Sequence, residues 1–246
     1  WTLSETDIVQ AYLMLAKAES MGIKKVSVIS SDNKYGDTFN KWVPYHANEL
    51  KLDIVDRVQY SNSKELENGF SSICESEAEV VICALNNHAD AKSVLEIARS
   101  TPSSPKIYFT GSVFNSSLMK LGELTEGAEG FSMYSSPNSG FHLAYQARFG
   151  ETPMPIEAQL YDSFLLSLTS FAYSKCSGRV MTLNQALKEL SDLPLTNDQN
   201  QYVDIFWETG TPAWNHSGLK DVILDPIRNG RFPELNLVGA LGNLKF

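Results

Sequence analysis

Hydrophobic and polar positions along residues 1–134 follow a repeating pattern that predicts helices and strands in alternation. Short apolar runs indicate buried strands, and the segments between them carry apolar side chains at helical spacing. The predicted strands are 24–30, 53–60, 79–85, 106–110 and 128–134, separated by helices at 36–50, from 63 onward, at 89–100 and at 116–124. Apolar strands that alternate with helices are typical of an α/β fold, a doubly wound parallel sheet with helices on both faces.

The pattern changes after Tyr134. Turn-forming residues occupy 135–140, and helices are predicted at 140–149, 156–174 and 183–190. Within the second of these helices, Leu160, Phe164, Leu168 and Phe171 form one apolar stripe. Strand candidates follow at 202–207, 222–224, 235–238 and 241–246. These are too few strands for an independent sheet, so this part is predicted to be an incomplete second domain.

Composition narrows the class of protein. The chain has 246 residues, enough for one large domain or two lobes, with 43% hydrophobic and 20% charged residues. Its 29 acidic and 20 basic residues leave a net charge of −9, without a Lys/Arg cluster. Such a chain lacks the positive surface that binds phosphate backbones, so we expect no nucleic-acid partner.

Motifs for catalysis are absent from the sequence. It contains no G-x-G-x-x-G, no P-loop and no G-x-S-x-G elbow, and its four histidines and three cysteines lack metal-ligand spacing. Only His88 lies at the carboxyl end of a predicted strand, and no acid or nucleophile can be assigned beside it. We therefore predict neither an enzyme nor a bound cofactor or metal.

Polar and aromatic residues recur where the predicted strands end. They are Ser31, Asp32 and Tyr35 after the first strand, Asn86, Asn87 and His88 after the third, and Ser112 after the fourth. In a parallel sheet these ends meet at one edge, where ligands bind. Ser, Asn and Asp also cap helices, and capping is the preferred interpretation for Asn86, Asn87 and Ser116. Tyr35 is a poor cap but offers a ring and a phenol, which favours a ligand contact.

Several motifs, in order, resemble one family over nearly the whole chain. They are S-D-N-K-Y-G-D-T-F at 31–39, A-D-A-K-S-V-L-E-I-A-R at 89–99, K-I-Y-F-T-G-S at 106–112, P-I-E-A-Q-L-Y-D-S-F-L-L at 155–166 and V-G-A-L-G-N-L-K-F at 238–246. The chain resembles type I periplasmic binding proteins, in particular the branched-chain amino-acid-binding group of ABC transporters.

The resemblance implies two lobes, joined by three crossovers, that trap a ligand between them. Residues 1–134 would be the second lobe, 135–235 would return to the first lobe, and 236–246 would rejoin the second. The family's first half-lobe would precede Trp1, so we expect an intact parent roughly a hundred residues longer, within the usual range for two domains.

The resemblance also implies a function. It predicts an extracytoplasmic solute-binding protein, periplasmic or lipid-anchored, that carries an amino-acid-like ligand to a membrane permease. Tyr35 would face the ligand, and Ser112 stands where these binders often hold an acid for an ammonium group. Glu157 could supply that acid, or could serve the first turn of its helix. Asp162 is expected to be structural.

Two other functions stay open on the sequence alone. One is a flavodoxin-like enzyme or regulatory domain that binds a nucleotide or phosphate at the same sheet edge. The other is a degenerate binding fold retained for protein interaction. The missing glycine-rich loops weigh against the first of these.

Overall fold

A computed structural model describes residues 7–113, 116–133, 140–191 and 241–245 of the chain. The described residues divide into two compact units. Residues 7–132 and 243–245 belong to the first, which we call the sheet unit, and residues 140–191 belong to the second, which we call the helical unit. Each unit is described by itself below.

Strands and helices alternate through the sheet unit. Its elements, with the short β6 from the end of the chain, are α1 (Asp7–Ser20), β1 (Lys25–Ser31), α2 (Lys34–Glu49), β2 (Asp53–Tyr60), α3 (Ser63–Glu75), β3 (Val80–Ala84), α4 (His88–Ser100), β4 (Lys106–Phe109), α5 (Ser116–Met119), β5 (Glu129–Met133) and β6 (Leu241–Lys245). The helical unit contains α6 (Gly140–Phe149), α7 (Pro155–Cys176) and α8 (Leu183–Ser191).

The strands of the described residues form one sheet in the order β2-β1-β3-β4-β5-β6. The pairings of β1 with β2 and β3, of β3 with β4, and of β4 with β5 are all parallel. Strand β1 therefore lies between β2 and β3, with Ser30 opposite both Gln59 and Ala84. This order brings the carboxyl ends of β2, β1, β3 and β4 side by side at one edge.

The core lies on both faces of the sheet. Val28, Ile82 and Tyr108 point to one face, where they pack with α1 and α2. Their neighbours Ile29, Cys83 and Phe109 point to the other face, where they pack with α3 and α4. Because successive residues of a strand alternate between faces, a strand buried on both must be apolar throughout. The predicted doubly wound α/β fold is confirmed.

Helix α2 begins almost without a loop after β1. Asn33 is its N-cap, and the Asn33 side chain accepts a hydrogen bond from the N–H of Gly36 at 3.0 Å. A Cβ at position 36 would lie 1.8 Å from the carbonyl oxygen of Ser31. Glycine is therefore required there for close approach of two backbone segments, because any side chain would overlap the end of β1.

One element differs from the sequence-based expectation. The helix predicted over 116–124 is instead the short α5 followed by a 3₁₀ turn at Gly122–Thr125, and Gly122 at φ 55° interrupts the helical path. In agreement with the helix predicted over 36–50, α2 runs through Pro44 to Glu49. The strand candidates at 202–207, 222–224 and 235–238 lie outside the described residues.

The helical unit is organised around α7. Pro155 stands at its start, and the carboxylate of Glu157 accepts a hydrogen bond from the N–H of Met154 at 2.6 Å. Helix α8 packs against α7, where the Tyr173 hydroxyl donates to Glu189 at 2.9 Å. Gly150, at φ 74°, follows the end of α6, as the sequence predicts.

The contact between Gly36 and Ser31 leads to a stability prediction. Gly36→Ala should lower the free energy of unfolding by about 2 kcal/mol or more, because the clash is with backbone that cannot rotate away. Chemical denaturation measures this, with Lys34→Ala, at an exposed position of the same helical turn, as the control. Equal stability of both variants would show that the β1–α2 junction is looser than described.

Candidate functional site

Polar side chains link the carboxyl ends of three neighbouring strands. The Ser61 hydroxyl, after β2, donates to the Asp32 carboxylate, after β1, at 3.0 Å. The Asn33 amide donates to the Asn86 side-chain oxygen, after β3, at 2.6 Å. Asp32, Asn33 and Asn86 are exposed. They form one end of a polar surface that we call the carboxyl-edge cluster.

The other end of the carboxyl-edge cluster centres on Tyr35. Its ring is half-buried and meets Phe39 edge-on at 5.1 Å between ring centres. Burial raises the pKa of the Tyr35 phenol, and hydrogen bonds to the side chains of Ser112 and Thr110 oppose that rise. The Ser112 hydroxyl donates to the carbonyl of Leu85 at 2.7 Å, so the loops after β3 and β4 are joined beneath the phenol.

Asp7, in the first turn of α1, is a member of this cluster that the sequence reasoning missed. Burial raises the pKa of the Asp7 carboxyl, and its charge contributes to the raised pKa of the Tyr35 phenol. In the sequence it was indistinguishable from an ordinary first-turn acid. No local signal could have placed it, because α1 precedes β1 and reaches this edge only through packing.

Gln10, one turn after Asp7, holds the loop that follows β4. Its side-chain amide donates to the carbonyl of Phe131 at 2.8 Å, and its oxygen accepts from the N–H of Gly111 at 3.3 Å. Because Gln10 is buried, its side chain cannot bond water, and these two hydrogen bonds satisfy its polar atoms instead. Helix α1 is thereby tied to the loop that carries Ser112.

Asparagine caps occupy the helix N-termini at this edge. Asn33, Asn62 and Asn87 are the N-caps of α2, α3 and α4, and their side chains accept from the N–H groups of Gly36, Glu65, and both Ala89 and Asp90. The capping interpretation is thus confirmed for Asn87, whereas Asn86 contacts Asn33 instead. These caps use first-turn N–H groups that could otherwise bind an anion.

Tyr60, the last residue of β2, braces the loop after β3 from below. Its hydroxyl donates to the Asp90 carboxylate at 2.7 Å and accepts from the N–H of Asn86 at 3.2 Å. Burial and the Asp90 carboxylate raise the pKa of Tyr60 well above its usual value, so it stays protonated. Asn86 is therefore presented to solvent by a fixed backbone.

The remaining expected site residues lie in different environments. Ser31 is buried and bonds Asn33 at 3.2 Å, whereas His88 is exposed as the first residue of α4. Glu157 belongs to the helical unit, where a hydrogen bond with its carboxylate raises the pKa of Tyr145 to about 12. A ligand contact at each of these residues stays a prediction.

A separate cleft opens at the opposite, amino-terminal end of the strands. It has a volume of about 180 Å³ and lies between α4 and the starts of β4 and β5. Arg99 lines this cleft, and its guanidinium already donates to the carbonyl of Glu123 and lies 4.0 Å from the carboxylate of Glu126. This cleft shares no residue with the carboxyl-edge cluster.

Within the described residues, no group of three or more His, Cys, Asp or Glu side chains is placed to hold a metal ion. In the same part of the chain, no helix is both long enough and apolar enough to cross a membrane. The carboxyl-edge cluster instead combines carboxylates, hydroxyls, amides and a phenol, which are groups that recognise a small polar molecule.

Comparison with known families identifies the class of protein. Residues 1–198 match the family described as receptor family ligand binding region. Because that match spans most of the 246 residues, the chain belongs to this family. No curated protein matches the chain.

Solved structures share the fold at low sequence identity. An ABC transporter substrate-binding protein from Desulfitobacterium hafniense is 20% identical, with a TM-score of 0.60 over 77% of this chain and 56% of that one. A leucine-binding protein from Thermotoga maritima is 18% identical, with a TM-score of 0.66 over 77% and 55%. A solute-binding protein from R. palustris in complex with benzoate is 12% identical, with a TM-score of 0.66 over 78% and 54%. The chain spans just over half the length of these structures.

The raised pKa of Asp7 predicts a pH-dependent stability. The unfolded carboxyl titrates near 3.8 and the folded one at higher pH, so the folded state binds the extra proton and loses stability as pH rises through that window. Asp7→Asn should therefore stabilise the protein near pH 7, with a gain that shrinks towards pH 4. Denaturant unfolding at several pH values measures this.

The matched control is Glu67→Gln on the exposed surface of α3. It should change stability little across the same pH range. A loss of stability in Asp7→Asn at pH 7 would mean that the favourable interaction of the Asp7 charge with the N-terminus of α1 outweighs the cost of burying that charge.

Proposed function

We propose that this chain is the ligand-recognising part of an ABC-transporter solute-binding protein, and that its ligand is amino-acid-like. The observation that carries the proposal is the polar surface at the carboxyl edge, where Asp32 bonds Ser61, Asn33 bonds Asn86, and Ser112 bonds the carbonyl of Leu85. A parallel sheet presents its ligand site at that edge. No step of chemistry is needed, because binding is the function.

The charges of the cluster favour a cationic group on the ligand. The negative charge of Asp7 contributes to the raised pKa of the Tyr35 phenol, and the hydroxyls of Ser112 and Thr110 bond the same phenol. Burial disfavours the charged form of a carboxylate, and an ammonium group beside it lowers that cost, because the attraction between the two charges offsets the desolvation of both. Among the similar structures, the leucine-binding protein represents a ligand with an ammonium group and the benzoate complex represents a ligand without one.

A nucleotide or phosphate ligand fits the same edge poorly. Asparagine side chains already accept from one first-turn N–H of α2, one of α3 and two of α4, and Asp7, Asp32 and Asp90 add negative charge. Phosphate sites need free N–H donors and positive potential. The flavodoxin-like alternative is therefore disfavoured.

The proposal includes the division of the chain into lobes and the location of the protein. Residues 1–134 form the second lobe, 135–235 return to the first, and 236–246 rejoin the second. The protein works outside the cytoplasm, in a periplasm or on a lipid anchor, and delivers its ligand to a membrane permease. Support comes from the family match and from the substrate-binding proteins that share the fold.

A ligand panel tests the proposal directly. Thermal unfolding of the chain is measured with each of the common amino acids, with benzoate, and with adenine and guanine nucleotides. One or more amino acids at about 100- to 1,000-fold above the dissociation constant should stabilise the protein by roughly 3–4 kcal/mol. Stabilisation by nucleotides alone would refute the proposal.

For any amino acid that binds, the analogue without its ammonium group isolates the role of Asp7. The wild type should prefer the amino acid by about tenfold or more, and Asp7→Asn should remove most of that preference. A preference that survives in Asp7→Asn would assign the ammonium to another residue, with Glu157→Gln as the next variant to compare.

The phenol of Tyr35 can be tested without removing its ring. Tyr35→Phe should weaken ligand binding by about tenfold, while changing the free energy of unfolding by about 1 kcal/mol or less. Isothermal titration and denaturation measure the two effects, with Tyr45→Phe, an exposed tyrosine of α2, as the control. Unchanged binding in Tyr35→Phe would make Tyr35 a packing residue only.

A further inference from the structure

Met21 stands directly after α1, and hydrogen bonds of the turn hold the backbone around it in place. The N–H of Ile23 donates to the carbonyl of Ala18 at 3.1 Å. The N–H of Gly22 donates to the carbonyl of Glu19 at 2.9 Å, which completes a Schellman motif, and Gly22 has the left-handed φ of 79° that this motif needs. Met21 itself is 48% exposed, so its side chain can be reached from solvent.

The sulfur of Met21 lies beside two hydrogen-bond donors from β4. The Tyr108 hydroxyl donates to this sulfur at 3.4 Å, and the Lys106 ammonium lies 3.9 Å from it. The same ammonium lies 5.6 Å from the centre of the Tyr108 ring and forms an ion pair with the Glu129 carboxylate. Positions 106 and 108 are two residues apart in the strand, so their side chains point to the same face. The end of α1 and the start of β4 therefore meet at one sulfur atom.

The Tyr108 hydroxyl is a buried donor with a weak acceptor. Tyr108 is fully buried, and in the part of the chain that the structure describes, the Met21 sulfur is the one acceptor of its hydroxyl. Burial and the charge of Glu129 raise the pKa of this phenol, so it keeps its proton. A thioether sulfur accepts weakly, whereas buried hydroxyls are normally paired with a good acceptor or with water. A stronger acceptor at the position of this sulfur would therefore stabilise the fold.

Oxidation of the sulfur supplies such an acceptor. When a peroxide reacts with a methionine, a sulfur lone pair attacks one peroxide oxygen, so that an S–O bond forms while the O–O bond breaks. The sulfur loses two electrons, and the leaving oxygen takes up a proton and departs as water. The product is a sulfoxide, which is polar where the thioether was apolar. Its oxygen is bonded to the sulfur and so comes within reach of both donors on β4.

Met14 shows what makes the position of Met21 special. Met14 lies on the same helix, is fully buried, and packs among the apolar side chains between α1 and the sheet. An oxygen on its sulfur would enter an apolar core, which is the usual way in which methionine oxidation damages a protein. Met21 is open to the oxidant on one side and faces two donors on the other.

We propose that Met21 is a modification site, at which a peroxide forms a methionine sulfoxide whose oxygen is bound by the Tyr108 hydroxyl and the Lys106 ammonium. Oxidation at this residue stabilises the junction between α1 and β4. The site shares no residue with the carboxyl-edge cluster, so it does not depend on the ligand proposed for that cluster.

Mass mapping of peptides after treatment of the chain with hydrogen peroxide tests whether the site reacts. The extent of sulfoxide formation is followed over time at Met21 and at Met14. Met21 should react about tenfold faster or more, because only its side chain is exposed. Oxidation of Met21 that is no faster than that of Met14 would overturn the proposal.

Thermal unfolding distinguishes a bound sulfoxide oxygen from one that is merely exposed. Peroxide should shift the unfolding midpoint by about 2 °C or more upwards in the wild type relative to its effect on Met21→Leu, which reports the oxidation of the other methionines. In Tyr108→Phe the oxygen loses its buried donor, so this difference should disappear. A downward shift in the wild type relative to Met21→Leu, or an upward shift that survives in Tyr108→Phe, would contradict the proposal.

Met21→Gln gives a second test that needs no oxidant. Glutamine carries its amide oxygen on the atom that corresponds to the methionine sulfur, so it places an oxygen where the sulfoxide would have one. Met21→Gln should unfold about 2 °C or more above Met21→Leu, and the two should unfold together when each is combined with Tyr108→Phe. A midpoint for Met21→Gln no higher than that of Met21→Leu would show that the donors on β4 do not bind an oxygen at this position.

Discussion

The approach of Gly36 to the carbonyl of Ser31 is the contact on which the candidate site depends. Because position 36 lacks a Cβ, the first turn of α2 can begin directly against the last residue of β1. This places Tyr35 over the sheet edge instead of out in solvent. Its ring then packs on Phe39, and its phenol reaches the hydroxyls that follow β4. A longer loop would leave the same tyrosine without those partners.

The loops around the site are held in place by hydrogen bonds from their backbone N–H groups to side chains. Asparagine side chains cap α2, α3 and α4, Tyr60 supports the N–H of Asn86, and Gln10 supports the N–H of Gly111. Each bond replaces water at a group that would otherwise be costly to bury. The loops of the carboxyl-edge cluster are therefore held in place by bonds within the protein, and a ligand site of the kind proposed there would need little ordering of these loops on binding.

Asp7 is an acidic side chain whose burial opposes its charge. Partial burial of its carboxyl raises the pKa and disfavours the charged form, with no cation among the causes of that shift. Groups whose burial opposes their charge concentrate at functional sites, since a ligand of opposite charge can relieve the penalty. In contrast, Lys25 and Lys106 of the same unit are paired with Glu77 and Glu129 and serve the amino-terminal ends of the strands.

The sequence by itself determined the alternation of strands and helices, because continuous apolar runs such as Val80–Ala84 fit only a strand buried on both faces. It also determined that Tyr35 and Gly36 follow β1, since the turn between a strand and the next helix depends on residues that are adjacent in the sequence. Only the tertiary structure decided that Asp7 and Gln10 belong to the same cluster and that Glu157 belongs to another unit. The physical reason is that side-chain periodicity reports which face of an element is apolar, whereas the partner of a polar side chain depends on which distant elements the packing brings beside it.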